Sequence, residues 1–159
     1  GLERLSVASL SKLTTLEASP PQPDLTFTST GDEKMSLSDY RGKVILVNAW
    51  ATWCPPCVAE MPSLNNLQKQ RGGDDFQVVT ISLDNKKEDI SEFFETNGID
   101  VLPSWHDSTY QINGKLQLPG LPTSVIYDRS GQEVARLLGE AEWDSPESFA
   151  LIDYLTANE

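Results

Sequence analysis

Apolar residues recur along this chain in runs and alternations that place most of its elements. Val44 to Trp50 is nearly continuously apolar, the pattern of a strand buried on both faces. Phe76 to Leu83 repeats that pattern, and Val101 to Trp105 reads as a shorter strand. Ser124–Tyr127 and Glu133–Leu138 flank Asp128-Arg129-Ser130-Gly131, a turn that joins them as a hairpin. A second hairpin is predicted where Leu25–Thr28 and Lys34–Leu37 flank Gly31-Asp32. Helical spacing takes over elsewhere. Leu2, Leu5, Leu13 and Leu16 predict an amphipathic helix over residues 2–18, ended by the proline-rich run Ser19 to Asp24. Val58 to Arg71 reads as a helix that Pro62 should kink and Gly72-Gly73 end. Lys86 to Asn97 is the next, stopped by Gly98, and Ser145-Pro146 cap a last helix reaching about Leu155.

Strand, helix, strand, helix, hairpin and helix is an α/β order. It asks for a right-handed parallel crossover first and an antiparallel pair last, in one mixed sheet with helices on both faces. The division expected is residues 1–24 as helix and linker and residues 25–159 as one domain, a size that supports a single core. There is no internal repeat and no low-complexity tract.

A formal net charge of −12 excludes a nucleic-acid partner, because phosphates require a basic face, and disfavours anionic membrane surfaces. No apolar run reaches the length of a membrane span. The chain starts at Gly1 without methionine, compatible with removal of an upstream segment.

The chemistry is concentrated in one place. Cys54 and Cys57 are the two cysteines of the chain, separated by Pro55 and Pro56 just after the Val44–Trp50 strand. Cys54 is predicted at the first turn of a helix, where free amides and the helix dipole favour a thiolate. Cys57, one turn on, can reach back, making Cys54 the attacking sulfur and Cys57 the resolving one. A structural zinc site would need further ligands, and His106 is the single histidine. No metal is assigned, and no cofactor beyond the redox-active cysteine pair. Pro55 and Pro56 lack N–H donors, so the thiol pKa should stay near neutral and the pair should act as a reductant.

The run "VNAWATWCPPCVAEMP" resembles the active-site signature of the thioredoxin-like fold, in particular the TlpA/ResA group of extracytoplasmic thiol:disulfide oxidoreductases. The similarity extends over roughly residues 25–157, and the segment from Gly120 to Glu147 resembles the alphaproteobacterial TlpA branch. The resemblance implies a thioredoxin-like fold with a β-hairpin extension. It also implies a monomeric periplasmic protein, tethered to the inner membrane by an N-terminal segment outside this chain and kept reduced by a membrane electron donor. Such a protein reduces disulfides in client proteins bearing cysteine pairs, here copper-handling proteins of cytochrome oxidase assembly. Gly120-Leu121-Pro122-Thr123 resembles the family's cis-proline loop, placing Pro122 beside the disulfide and Leu121 where its backbone can pair with an extended client. Ala49 departs from the family, whose members commonly carry an aromatic there.

Asn48 stands where thioredoxins carry a buried Asp and cannot titrate. Glu60, matching an acid typical of the group, is the candidate for moving the Cys57 proton, against the plainer reading of a solvated helix charge. Trp53 should be exposed beside the sulfur with Pro55 and Pro56 as client-binding surface, and Trp50 should be core. Trp105 and Trp143 read as packing residues, and His106 as solvated or capping. Other readings of the same cysteines are a disulfide oxidase or isomerase, a reductant of apocytochrome c for haem attachment, and a Cu(I)-binding module. A peroxidase fits less well.

Overall fold

The computed structural model describes residues 2–15 and 21–157. Eight strands form one sheet in the order β1-β8-β7-β4-β5-β6-β2-β3. They are β1 Thr14–Thr15, β2 Thr26–Ser29, β3 Lys34–Ser36, β4 Val44–Trp50, β5 Phe76–Ser82, β6 Trp105–His106, β7 Thr123–Tyr127 and β8 Glu133–Leu138. β4 runs parallel to β5, and β5 to β6, while the other neighbours are antiparallel. The mixed sheet expected from the element order is therefore formed. The helices are α1 Pro55–Arg71, α2 Lys87–Asn97, α3 Gln111–Lys115 and α4 Pro146–Ala157.

β4 is central and all seven of its residues are buried. Its side chains alternate across the sheet, as strand geometry requires. Val44, Leu46 and Trp50 pack with Met61 and Leu64 of α1, Phe94 of α2 and Ile152 of α4. Ile45, Val47 and Ala49 face the other way, onto Phe27, Leu37, Trp105 and Ile112 of α3. Ala49, small where relatives are aromatic, sits in that second layer.

Local chemistry accounts for the helix ends. α1 begins at Pro55, three residues before the expected Val58, because proline's fixed φ suits the first helical turn. It stays helical on both sides of Pro62. α2 ends at Gly98 in the left-handed region at φ 66°, a conformation glycine takes without penalty. α4 is capped as expected, with Ser148 N donating to Ser145 Oγ at 3.3 Å.

The expected helix over residues 2–18 is corrected by the structure. Leu2–Leu5 and Ala8–Leu10 are separate 3₁₀ turns, and Thr14–Thr15 is edge strand β1 against β8. The reason is angular. On one α-helix Leu5 and Leu10 would lie about 140° apart and could not share a buried face. Broken at Ser6-Val7, the segment buries Leu5, Leu10 and Leu13 in the same core as α1 and α4. Leu16, Ser19 and Pro20 lie outside the described residues. The strand expected at Val101–Trp105 is displaced to Trp105–His106, and α3 was not foreseen. Within 2–15 and 21–157, no helix is long and apolar enough to cross a membrane.

Candidate active site

The redox pair sits where β4 hands over to α1. Cys54 is the N-cap of α1, with extended backbone, and Cys57 lies in its first turn. A disulfide joins the two sulfurs. Cys54 is 6% exposed and Cys57 1%, so Cys54 is less open than expected but remains the more accessible. Burial follows from its place in the floor of a groove. That groove, about 650 Å³, is bounded by Trp53, Pro55 and Pro56 on one side and Leu118 to Leu121 on the other, with Tyr110 and Asn113 of the α3 region completing it.

The turn carrying Cys54 is held from beneath. Cys54 N donates to Ala51 O at 3.2 Å, closing the turn over Thr52 and Trp53. Thr52 N donates to both oxygens of buried Asp84, at 3.2 and 3.0 Å, and Thr52 Oγ1 donates to Asp84 Oδ1 at 2.6 Å. Ser82 Oγ takes up Asp84 Oδ2 at 2.6 Å. His106, expected to be solvated or capping, is instead buried, its Nε2 directed to the Asp84 carbonyl. The protein folds the ring inward because it satisfies a carbonyl that would otherwise be stranded in the core.

Trp53 is 66% exposed, forming the outer lip of the groove, whereas Trp50 is fully buried and stacks on Phe94. The Leu121–Pro122 peptide bond is cis. Leu121 faces the groove. Pro122 is buried behind it, its carbonyl accepting from Gly139 N at 2.8 Å.

Glu60 is not a solvated charge. It is 2% exposed, one turn beyond Cys57 on α1. Asn48 Nδ2 donates to Oε1 at 2.9 Å, while Ala141 N and Trp143 Nε1 donate to Oε2 at 3.0 and 2.8 Å. Burial pushes its carboxyl up to about 7, against the three donors that favour the ionised form and with a small upward push from Glu140. A carboxyl titrating there suits proton transfer at neutral pH.

Trp143, expected only to pack, therefore also anchors the acid. A buried carboxylate must find donors, and an indole N–H is donor-only; that chemistry was the signal available in the sequence. Ala141 was invisible because it contributes through its backbone. Tyr110 and Asn113 were missed with α3, which carries one buried apolar residue, Ile112, and so has no periodicity to detect. The signal there was Asp107: its carboxylate accepts from Thr109 N, Thr109 Oγ1 and Ile112 N, capping the short helix.

Within 2–15 and 21–157, no group of three or more His, Cys, Asp or Glu side chains is placed to hold a metal. The arrangement is a thiol-exchange centre on a thioredoxin-like scaffold. Residues 17–153 match the Redoxin family, and the chain belongs to it. It is a thiol-disulfide oxidoreductase of the ResA/TlpA-like kind. It is 28% identical over 127 residues to the thiol-disulfide oxidoreductase ResA of Bacillus thuringiensis strain Al Hakam, covering 80% of this chain and 73% of that protein. It is 35% identical over 112 residues to the thioredoxin-like protein YneN of Bacillus subtilis strain 168, covering 69% and 64%. Among solved structures, a DsbF homologue from Corynebacterium diphtheriae superposes with a TM-score of 0.76 at 25% identity, over 91% of this chain and 93% of that one.

Proposed function

We propose that this protein is a reductant of protein disulfides, with Cys54 as attacking sulfur, Cys57 as resolving sulfur and Glu60 as proton carrier. The observation that carries the reading is the asymmetry of the pair: Cys54 floors the groove while Cys57 is sealed one turn below, beside a buried carboxyl. In the reduced enzyme the Cys54 thiolate attacks a client disulfide. A Cys54–client bond forms and the second client sulfur leaves as a thiolate. Cys57 then loses its proton to Glu60 and attacks Cys54, closing the enzyme disulfide and expelling the first client sulfur. Two electrons pass to the client, and both its sulfurs end reduced.

The direction of transfer rests on Pro55 and Pro56, the first two residues of α1. Neither offers an N–H to Cys54, so the reduced form lacks two donors that would raise the potential. Equilibration with glutathione tests this. A potential near thioredoxin's, about −270 mV, is the expected result; one above about −150 mV would favour an oxidase or isomerase.

The groove is apolar on both walls, which suits an extended polypeptide passing Leu121. The clients we favour are copper-handling proteins of oxidase assembly with closely spaced cysteines, following the similarity to the TlpA branch. An extracytoplasmic location, with a membrane tether and a membrane electron donor, belongs to the same proposal. Capture of clients on a Cys57→Ser variant decides it, since recovery of apocytochromes c alone would redirect the role to haem attachment.

A further inference from the structure

Three polar side chains cross the centre of the sheet in one row beneath Glu60. Ser124 of β7, Asn48 of β4 and Thr80 of β5 pair in register, and all three are buried. They lie one step along from the row Ile126, Leu46 and Val78, on the face that α1 covers. A polar row there is costly unless it is hydrogen-bonded.

Asn48 Nδ2 donates to Glu60 Oε1 at 2.9 Å and to Ser124 Oγ at 3.0 Å, using both its hydrogens. Asn48 Oδ1 has no hydrogen-bond partner, and neither does Thr80 Oγ1, its neighbour on the other side of the row. This arrangement serves an ionised Glu60. It does not serve a protonated one. Oε2 is already held by Ala141 N and Trp143 Nε1, so the proton goes to Oε1, where it meets the Asn48 nitrogen donor against donor.

A half-turn of the Asn48 carboxamide removes that conflict. Oδ1 then accepts from protonated Oε1 and from the Ser124 hydroxyl, which can donate as readily as accept. Nδ2 swings to the opposite side of the row, where Thr80 Oγ1 is an acceptor. Both unpartnered atoms gain partners in that state, and in the ionised state neither has one.

We propose that Asn48 is a proton-linked amide switch. It meets Glu60 nitrogen-first when the carboxyl is ionised and oxygen-first when it is protonated, with Thr80 as the second stop. Asn48 is thus a positioning residue for the proton at Glu60, and its use in turnover rests on the reading that Glu60 serves Cys57. The loop after β8 brings the Glu140 carboxylate near Glu60, together with the Ala141 and Trp143 donors. Cys57, one turn away on α1, titrates when reduced. The row contributed by β4, β5 and β7 carries no ionisable group.

Thr80→Val is nearly isosteric and separates the two states. The ionised state loses only a hydroxyl without a partner, whereas the protonated state loses the acceptor for Nδ2. The Glu60 carboxyl, followed by its ¹³C shift in the oxidised protein, should titrate lower in the variant by about one pH unit, a tenfold weaker hold on the proton. In the unaltered protein, cross-relaxation from the Asn48 side-chain hydrogens should move from Ser124 above the midpoint to Thr80 below it. An unchanged midpoint in Thr80→Val, or an amide that keeps the same neighbours on both sides of the titration, would overturn the switch. Neither readout involves turnover, so both decide the switch whatever thiol exchange in Glu60→Gln shows about the reading beneath it.

Discussion

Above the disulfide and below it the protein presents opposite surroundings to the same two sulfurs. Above, Trp53, Tyr110 and Leu121 border a groove of apolar side chains without a partner of their own. Below, Glu60 is sealed with Asn48, Ala141 and Trp143, and each of its oxygens is hydrogen-bonded. The difference reflects two tasks. Holding a client that changes from turnover to turnover calls for surface that gains by being covered. Moving one proton calls for a fixed acid whose surroundings set its affinity, which open solvent cannot provide.

The largest expected effect comes from removing the link between the two regions. Cys57→Ser leaves the groove and the acid in place but deletes the sulfur that connects them. Turnover of protein disulfides should be abolished and a stable Cys54–client adduct should accumulate, visible on non-reducing gels. Residual turnover would mean that a client's own second thiol resolves the adduct, and the lower region would lose its assigned role.

Glu60→Gln breaks the lower region alone. The folded-state carboxyl is raised above its ordinary 4.5 to about 7, so the folded protein holds this proton more tightly than the unfolded chain. That contribution is fully present below pH 4.5 and is lost as pH rises through about 7. Relative to Glu60→Gln, the unaltered protein should therefore lose about 3 kcal/mol of stability between pH 4 and pH 8. Denaturant titrations of both proteins across that range measure it. The variant should also flatten the pH dependence of thiol exchange while leaving the groove's affinity for client unchanged. A stability difference independent of pH would show that Glu60 is already ionised at pH 4.

Trp143→Phe sharpens the same region without removing the acid. The ring stays buried, but the 2.8 Å donor to Oε2 is gone and the ionised form loses part of its support. The Glu60 midpoint should rise above about 7 by roughly one further unit. A fall instead would mean that Trp143 acts chiefly by burying Glu60.

The two regions were also unequally legible in the sequence. The upper one declares itself: a cysteine pair after a buried strand, Trp53 beside it, and the Gly120–Thr123 loop carry most of the groove in residue types with few alternative uses. Its missing wall, Tyr110 and Asn113, was lost because a five-residue helix has too few turns to show a period. The lower region could be read only in part. Glu60 was identifiable from its place in the motif, but its burial was not, because helical spacing from Cys57 fits an exposed face as well as a covered one. Its partners come from β4, from the loop after β8 and from a backbone amide, contacts set by tertiary packing far along the chain. The N-terminal segment failed for a related reason. Its leucines were spaced closely enough for a helix, yet what they satisfy is the surface of α4 and the edge of β8 rather than a helix of their own.

The smallest effect expected is on the upper region. Trp53 is 66% exposed and makes no ring pair in the folded protein, so replacing it with alanine should leave the melting temperature unchanged. Its ring lies at the lip of the groove above Cys54, where a client segment would cover it. Aromatic residues at the centre of an interface commonly contribute about 1 kcal/mol or more to binding, which corresponds to roughly a fivefold rise in KM. Reduction of a small, unhindered disulfide should be unaffected, since such a substrate reaches Cys54 without resting on the lip. The comparison of protein and small-molecule substrates in Trp53→Ala therefore isolates docking from chemistry. An equal loss for both would mean that Trp53 positions Cys54 through the Ala51–Cys54 turn, and the separation between an upper region that binds and a lower one that moves protons would no longer hold.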